Sequence, residues 1–365
     1  MPALFGARSQ RWLTLAHVQT VLGPVHPGSL GVTLPHEHLF IIMAGASPPG
    51  SGDGLQGRPI SPHELDDARR RPHRYRAALA LEDLDEQCRE LIAFREVGGG
   101  CVVDVTPPDL GRSPARLVEL ARRSGVAVVM GCGHFVHTFH PPGLAAMDEE
   151  EIQAEILRDL VAGVDGVRAG IIGEIGLGWP HHPEEERVLR AAARASAATG
   201  VALTVHPGHA ARSCFRALEV VAEAGGAPER TVIGHLERTL FDLEDFVALA
   251  RTGCYLEFDL FGREVIHHPL APPGKPGDVV RIEWMVRLAE RGFGDQLLAS
   301  HDVAYRTDLR AYGGPGYAHL LTSVVPVMRG RGMPEELIRA LLVDNPARML
   351  AVADGEGDEP GRVQG

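Results

Sequence analysis

The chain has 365 residues, of which 44% are hydrophobic, and a formal net charge of −12 at pH 7. This length is common among α/β barrels, and the apolar content is ample for a large core. The acidic balance argues against nucleic acid or an anionic membrane as a partner, since both favour a basic face. No apolar run approaches the roughly 20 residues that span a membrane.

The cysteines and the N-terminal segment indicate where the protein resides. Five cysteines, an odd number, are scattered without a C-x-x-C pair at Cys88, Cys101, Cys132, Cys214 and Cys254. We expect them to be reduced and buried, with no catalytic or metal-binding role. The N-terminal segment lacks the charged start and the apolar stretch of an export signal. Both features favour a cytoplasmic protein.

Short β-branched segments alternate with helical patterns along most of the chain. Amphipathic segments closed by glycine, such as 83–99 and 183–200, separate the predicted strands. Eight strands are predicted, at 31–38, 100–106, 126–132, 169–176, 201–207, 231–236, 254–260 and 296–302. Strict alternation implies parallel β-α units, and eight units predict a closed (β/α)8 TIM barrel, an α/β fold. An open doubly wound sheet is the alternative, but no G-x-G-x-x-G follows any of these strands.

The predicted barrel covers residues 31–353. An N-terminal extension with short strands, 1–30, precedes it, and 354–365 form a polar, Gly-rich tail that we expect to be disordered. Long connections are predicted to lie over the C-terminal mouth of the barrel, where substrate sites are built: 41–80, 261–280 and 303–318. The first of them contains "SPHE", which is typical of a capping box that begins a short helix.

Polar residues that are able to bind metal ions stand near the C-terminal ends of five predicted strands: His36, His38, Glu174, His206, His235 and Asp302. His36 and His38 are two residues apart, so both point to one face of their strand. Each residue alone could be a hydrogen-bonded core residue. Six of them at one end of a barrel exceed what packing explains, because each costs desolvation energy unless it is paired. The set predicts a metal site of imidazole and carboxylate ligands.

Glu174 interrupts the apolar segment "GIIGEIGLGWP" (170–180). An unpaired charge in a buried strand costs several kcal/mol, so this carboxylate must be either protonated or paired. The candidates for its partner are an arginine and a metal ion. The segment by itself leaves this choice open.

The order of H-x-H, a residue on strand 4, His, His and Asp resembles that of the amidohydrolase superfamily, and within it the phosphotriesterase family. The segments "GVTLPHEHLF", "VIGHLERT" and "DNPARML" resemble that family's blocks. Two others, "GCYLEFDLFG" and "YGGPGYAHLLTSVVPVMRGRGM", are most similar to phosphotriesterase-related proteins, also labelled resiniferatoxin-binding proteins. The resemblance runs from about residue 18 to residue 352.

The resemblance implies two divalent metal ions, with zinc as the expected metal and manganese, cobalt or iron as alternatives. His36, His38, Glu174 and Asp302 would bind one ion. Glu174, His206 and His235 would bind the other. Phosphotriesterases proper bridge their metals with a carbamylated lysine where Glu174 stands; a carbamate and a glutamate each present two oxygens and one negative charge. A metal-bridging hydroxide would attack the substrate, and Asp302, as the catalytic residue, would carry the proton to the leaving group.

The implied activity is hydrolysis at a carbonyl centre of a small molecule. The resemblance favours an N-acyl amide, such as an N-acetylated amino acid or aminosulfonate, or a lactone. A phosphotriesterase and a non-catalytic barrel that binds a small molecule are the alternatives, and the complete ligand set argues against the second. The sequence leaves the oligomeric state open, a homodimer included.

Four residues near strand ends are candidate substrate contacts, although each could equally be structural: Arg238, Tyr255, Tyr305 and Arg306. An anionic substrate needs a cationic partner, so we expect Arg238 or Arg306 to bind a carboxylate or sulfonate. By alternation, Glu257 and Asp259 share a face with Tyr255, so one of these acids is a candidate for a core-facing contact. His301 should face the helices, because it precedes Asp302.

Overall fold

The structure, a computed structural model, describes residues 16–43, 59–264 and 274–353. The strands in these ranges are, in chain order, β1 (Ala16–Thr20), β2 (Gly23–Val25), β3 (Val32–Glu37), β4 (Ile41–Ile42), β5 (Ala80–Leu81), β6 (Gly99–Asp104), β7 (Ala127–Cys132), β8 (Ile171–Gly176), β9 (Leu203–His206), β10 (Thr231–Ile233), β11 (Tyr255–Phe258), β12 (Leu297–Ala299) and β13 (Val352–Ala353). Strand β3 and strands β6 to β12 form one sheet, in which neighbours along the chain pair in parallel. This nearly closed barrel confirms the predicted (β/α)8 fold, and each predicted strand corresponds to one of its strands.

The helices follow the amphipathic segments of the sequence. They are α1 (Leu65–Arg70), α2 (Leu84–Glu96), α3 (Pro114–Ser124), α4 (Glu149–Val161), α5 (Pro183–Thr199), α6 (Ala211–Glu223), α7 (Leu243–Ala250), α8 (Asp278–Glu290), α9 (Val325–Gly330), α10 (Glu335–Arg339) and α11 (Asn345–Leu350). Helix α5 shows why its ends lie where they do. The His182 ring accepts a hydrogen bond from the Glu184 amide at the start, and Gly200, with φ of +73°, ends the helix in the left-handed conformation that suits glycine.

Two apolar layers hold the barrel together. The larger cluster packs the outward faces of the strands against the helices. The smaller one takes alternate strand residues, such as Val103, Val129 and Ile171, and lies inside the barrel. Val18 of β1 and Leu350 of α11 pack into the same inner cluster. Apolar side chains therefore fill the N-terminal end of the barrel, and its polar residues collect at the C-terminal end.

The seam between β12 and β3 is closed by the chain just beyond β12. The Asp302 amide donates to the His36 carbonyl (3.2 Å), and the His38 amide donates to the Val303 carbonyl (3.3 Å).

A buried carboxylate, that of Glu37, reinforces this seam. It accepts hydrogen bonds from Ser300 Oγ (2.8 Å), the His301 amide (2.9 Å) and the Val303 amide (2.8 Å). The His301 ring contacts the same carboxylate, with its Nδ1 2.7 Å from Glu37 Oε1. Its Nε2 accepts a hydrogen bond from the Leu320 amide (3.0 Å). His301 thus faces away from the barrel interior, as its place beside Asp302 predicts.

We predict that Glu37→Gln lowers the free energy of unfolding by about 3 kcal/mol, because one carboxylate oxygen becomes an amide NH2 that faces donors. Urea denaturation followed by circular dichroism measures this change. Glu119→Gln, on the exposed face of α3, is the matched control. A Glu37→Gln shift no larger than that of the control would contradict the role of Glu37 at the seam.

The remaining sequence expectations concern the ends and the long connections. Ser61 and Glu64 form the predicted capping box ahead of α1. Strands β1, β2 and β13 form a small antiparallel sheet, and the boundary at residue 31 stays a prediction. The predicted tail, 354–365, lies outside the described residues. Within the described part of the chain, no helix has the length and apolar character needed to cross a membrane.

Candidate metal centre

The six residues of the predicted metal set stand at the C-terminal end of the barrel. His36 lies in β3 and His38 directly follows it, Glu174 lies in β8, and His206 ends β9. His235 lies two residues after the end of β10, and Asp302 lies three residues after the end of β12. Parallel strands present their C-terminal ends at one rim, so these side chains converge.

The carboxylate of Glu174 lies among the rings of four histidines. Glu174 is 2% exposed. Its oxygens approach one ring nitrogen of each histidine: His36 Nε2 (3.4 Å), His38 Nε2 (3.2 Å), His206 Nδ1 (2.9 Å) and His235 Nε2 (3.4 Å). Asp302 joins through Oδ1, which lies 3.3 Å from His38 Nε2. The structure thus brings together all six residues of the predicted set.

Three of the four histidines are held through the nitrogen that points away from Glu174. Their Nδ1 atoms lie 2.8 to 2.9 Å from an oxygen of a buried partner: Glu257 for His36, Thr106 for His38 and Asp259 for His235. Such outer contacts fix the ring orientation and leave Nε2 directed at the centre. Strand alternation made one of the two acids a candidate for a core-facing contact, whereas nothing in the sequence pointed to Thr106.

Irregular backbone turns two of these side chains inward. Leu34 and Ile172 pack in the outer cluster, so strict alternation would direct His36 and Glu174 toward the helices as well. Both β3 and β8 carry a register shift immediately after those residues. At Gly173, φ is +115°, and a Cβ atom there would lie 2.3 Å from the Thr204 carbonyl oxygen.

Two residues of the set adopt an uncommon backbone conformation. His235 and Asp302 have φ values of 52° and 51°, in the left-handed region that few non-glycine residues occupy. Strained residues of this kind cluster at functional sites, because surrounding contacts must hold them there. Here the Asp259 carboxylate accepts from the His235 amide (2.9 Å), and the His36 carbonyl accepts from the Asp302 amide (3.2 Å).

The charges of the cluster are balanced by its own protons. Burial alone would raise the pKa of Glu174, but the neighbouring histidines hold it well below its usual range. Burial lowers the pKa of His206 to about 3 and that of His235 to about 4, so both rings are neutral at pH 7. The pKa of His38 is raised to about 9, against the effect of burial, by hydrogen bonds to Asp302 and Glu174. At neutral pH a proton on His38 therefore offsets carboxylate charge.

The donor set fits divalent metal ions. Two groups that share Glu174 have ligand atoms within 4.8 Å of one another, His36–His38–Glu174 and Glu174–His206–His235. His36 Nε2 is buried and, although it lies 3.4 Å from a Glu174 oxygen, it forms no well-aligned hydrogen bond among the described residues, which suits a metal ligand. Nitrogen and carboxylate oxygen ligands without thiolate suit zinc, manganese, cobalt and iron. A cation bound here would replace the histidine protons, because a coordinating imidazole is neutral.

Arg263 pairs with Asp302 and was not predicted from the sequence. Its Nη1 lies 2.5 Å from Asp302 Oδ2 and also donates to the Asp302 carbonyl. Burial alone would raise the pKa of Asp302, but the Arg263 guanidinium and the His38 ring hold it well below its usual range. Asp302 is therefore ionised at neutral pH.

Arg238, a predicted substrate contact, lies beside His206. Its Nη2 donates to His206 Nε2 (3.0 Å) and to the Pro207 carbonyl (3.1 Å), and the residue is 5% exposed. Its Nη1 is buried without a hydrogen-bond partner in the described parts of the chain. No carboxylate within those ranges forms an ion pair with Arg238.

The other three candidate contacts lie in different surroundings. Tyr305 stands at the mouth, with its ring centroid 5.2 Å from the Arg263 guanidinium carbon. Arg306 pairs with Glu86 (3.2 Å), so its charge is already balanced. Tyr255 packs in the apolar cluster inside the barrel, and this position gives no support to its predicted contact with substrate.

Comparisons with known proteins identify the family of the chain. The model of the phosphotriesterase family matches residues 16–350. The human N-acetyltaurine hydrolase is 37% identical over 339 residues, which cover 91% of this chain and 97% of that protein.

Two solved structures show the same fold. A resiniferatoxin-binding protein from Rhodobacter sphaeroides has a TM-score of 0.87 and 34% identity, covering 92% of this chain and 94% of that one. A phosphotriesterase homology protein from Escherichia coli, solved with phosphate in its active site, has a TM-score of 0.74 and 26% identity, covering 88% and 99%. The matched length, the barrel and the convergent polar cluster lead to one conclusion: the chain belongs to the phosphotriesterase family and is a metal-dependent hydrolase.

Proposed function

We propose that the protein hydrolyses N-acyl amides that carry an acid group, such as N-acetyltaurine or an N-acetylated amino acid. The observation that carries this proposal is the Glu174 carboxylate shared by two groups of potential metal ligands. The resemblance to N-acetyltaurine hydrolases over nearly the whole chain supports the substrate class.

In this proposal the cluster would hold two divalent ions, zinc foremost, with Glu174 as a ligand common to both. His36, His38, Glu174 and Asp302 would hold one ion, and Glu174, His206 and His235 would hold the other. When bound, the ions would polarise the substrate carbonyl and lower the pKa of a water molecule toward neutrality. Glu257, Asp259 and Thr106 keep the histidine rings oriented, so the ligands need little rearrangement.

Asp302 is the proposed proton carrier. Its ionised carboxylate faces the cluster through Oδ1, while Arg263 holds Oδ2 and keeps the group charged. Oδ1 would take one proton from the attacking water and give it to the amide nitrogen as the C–N bond breaks. The products are then a carboxylic acid and an amine, and Asp302 is ionised again.

Arg238 is the proposed contact for the acid group of the substrate. Other buried arginines of the described chain have a carboxylate partner: Arg112 pairs with Asp159 (2.8 Å) and Arg281 with Glu237 (3.1 Å). Arg238 has none, although a buried unpaired cation is costly. An anionic substrate beside His206 would supply the missing charge.

Two finer assignments belong to the same proposal. Zinc is the metal that we propose, and the nitrogen and oxygen donor set accommodates it, as it does manganese, cobalt and iron. A cytoplasmic location is supported by the five cysteines, which are all buried and form no disulfide within the described chain.

The direct test is a substrate panel assayed with metal-replete protein: N-acetyltaurine, an N-acetylated amino acid, N-propylacetamide as a neutral amide, a lactone and a phosphotriester. We expect the acidic amides to have the highest kcat/KM and chelation of the metal to abolish their hydrolysis. Turnover of the lactone or the phosphotriester alone would contradict the proposed substrate class. Turnover that survives complete metal removal would contradict the proposed mechanism.

We predict that Arg238→Met raises KM for an acidic amide about tenfold more than for the neutral amide, because a charge-assisted hydrogen bond is lost. Arg306→Met is the matched control, since Glu86 already balances that arginine. Metal content measured on both variants shows whether His206 is disturbed. Equal effects on the two substrates would remove Arg238 from substrate recognition.

A further inference from the structure

Helix α2 buries three polar side chains: Glu86, Gln87 and Glu90. Helices that pack in a protein core normally bury apolar residues, because an unpartnered polar group costs desolvation energy. Here the partners lie in the connection 303–318, which follows Asp302 along the chain. Arg306 pairs with Glu86 (3.2 Å), and the Arg310 amide donates to Glu90 (2.9 Å). Helix α2 thus holds the connection that begins beside the proposed proton carrier.

Tyr317, near the end of this connection, links Gln87 to the metal cluster. Its side chain is fully buried, and its hydroxyl lies 2.8 Å from the His38 carbonyl oxygen and 2.9 Å from Gln87 Oε1. Burial, reinforced by nearby carboxylates, raises the pKa of Tyr317 well above its usual range. The hydroxyl therefore keeps its proton and acts as a hydrogen-bond donor.

The orientation of Gln87 decides which acceptor receives this proton, because one hydroxyl proton serves one acceptor at a time. Gln87 Nε2 is buried and has no hydrogen-bond partner among the described residues. A half-turn of the amide would direct this NH2 group at the Tyr317 oxygen, which then accepts, while the hydroxyl donates to the His38 carbonyl. In that orientation Gln87 orients the hydroxyl toward His38.

The contact holds His38 at a place where the strand no longer does. His38 lies one residue beyond the end of β3. Its amide donates to the Val303 carbonyl (3.3 Å), and its carbonyl accepts from Tyr317. Its ring is held separately, with Nδ1 2.8 Å from the Thr106 hydroxyl oxygen. Backbone position and ring orientation together decide where Nε2 points.

We propose that Tyr317 is a positioning residue for the metal ligand His38, which it connects to helix α2 through Gln87. This inference rests on the proposed function, in which His38 and Asp302 are ligands of the same ion. Without the hydroxyl, the buried His38 carbonyl loses this donor, and its backbone can shift toward another partner. The hydrogen bond also ties the connection that begins at Asp302 to the strand end that carries His38.

The first test is a zinc titration of metal-free Tyr317→Phe, which keeps the ring and removes only the hydroxyl. Loss of a group that orients a metal ligand costs about 10- to 100-fold in affinity. We therefore expect the dissociation constant of one zinc equivalent to rise at least about tenfold. Tyr75→Phe is the matched control, because Tyr75 is also buried and its hydroxyl donates to Asp67 (2.8 Å), outside the metal set. Wild-type zinc affinity in Tyr317→Phe would overturn the inference.

A second measurement separates positioning from a general weakening of the fold. With N-acetyltaurine, kcat of Tyr317→Phe should be low at limiting zinc and return to within about threefold of the wild-type value at saturating zinc, since excess ion compensates for lower affinity. A purely structural role predicts a lower free energy of unfolding of the metal-free protein with unchanged zinc affinity. That result would contradict the inference.

Gln87→Met provides an independent variant, because it leaves the Tyr317 hydroxyl in place and removes only its link to α2. We expect the same zinc dissociation constant to rise about threefold, the cost of a weakened hydrogen bond. If Tyr317→Phe does not fold, this variant decides, and wild-type zinc affinity in Gln87→Met would overturn the inference.

The zinc titrations need no substrate, so they distinguish this inference from the proposed function. Wild-type protein that binds no zinc would overturn both. Wild-type protein that binds two equivalents without hydrolysing N-acetyltaurine would overturn the proposed substrate, while the affinities of Tyr317→Phe and Tyr75→Phe would still decide the role of Tyr317.

Discussion

The C-terminal end of this barrel is organised by the need to compensate one buried carboxylate, that of Glu174. A charge that is 2% exposed is stable only when opposite charge or strong hydrogen-bond donors surround it. Four histidine rings provide this environment, and three of them are anchored from behind by Glu257, Thr106 and Asp259. The polar cluster is therefore rigid before any substrate arrives, which is what a preorganised hydrolytic site requires.

The same rule, applied to cations, separates structural from functional arginines. Arg112 and Arg281 are buried and paired with acids, so they belong to the framework. Arg263 is paired as well, but its partner is Asp302, and this contact keeps the proposed proton carrier ionised. Arg238 has no acidic partner in the described chain, and we propose that it recognises an anionic substrate. Buried charge that the fold leaves uncompensated indicates what the ligand must bring.

Much of this architecture could be predicted from the sequence. The alternation of strands and helices was sufficient for the (β/α)8 barrel, because each β-α unit is a local pattern. The six polar residues near strand ends were also visible, since parallel strands bring those ends to one rim. These patterns are local, so they can be interpreted without knowing which distant segments of the chain come into contact.

The remaining features depend on irregular or long-range geometry. Strict alternation from Ile172 would turn Glu174 toward the helices, and only the register shift at Gly173 turns it inward. From the sequence, Arg238 and Arg306 were equivalent candidates for a substrate contact. Arg306 pairs with Glu86, 220 residues away in the chain, and no local pattern predicts such a contact.

Metal analysis of folded Glu174→Gln is the most direct test of Glu174 as a ligand shared by two metal ions. The glutamine keeps the volume but removes the negative charge that both ions share. We expect about two metal equivalents in wild-type protein, and in the variant the loss of at least one together with a fall in kcat of several orders of magnitude. A folded Glu174→Gln protein that retains both equivalents and full activity would contradict this role of Glu174.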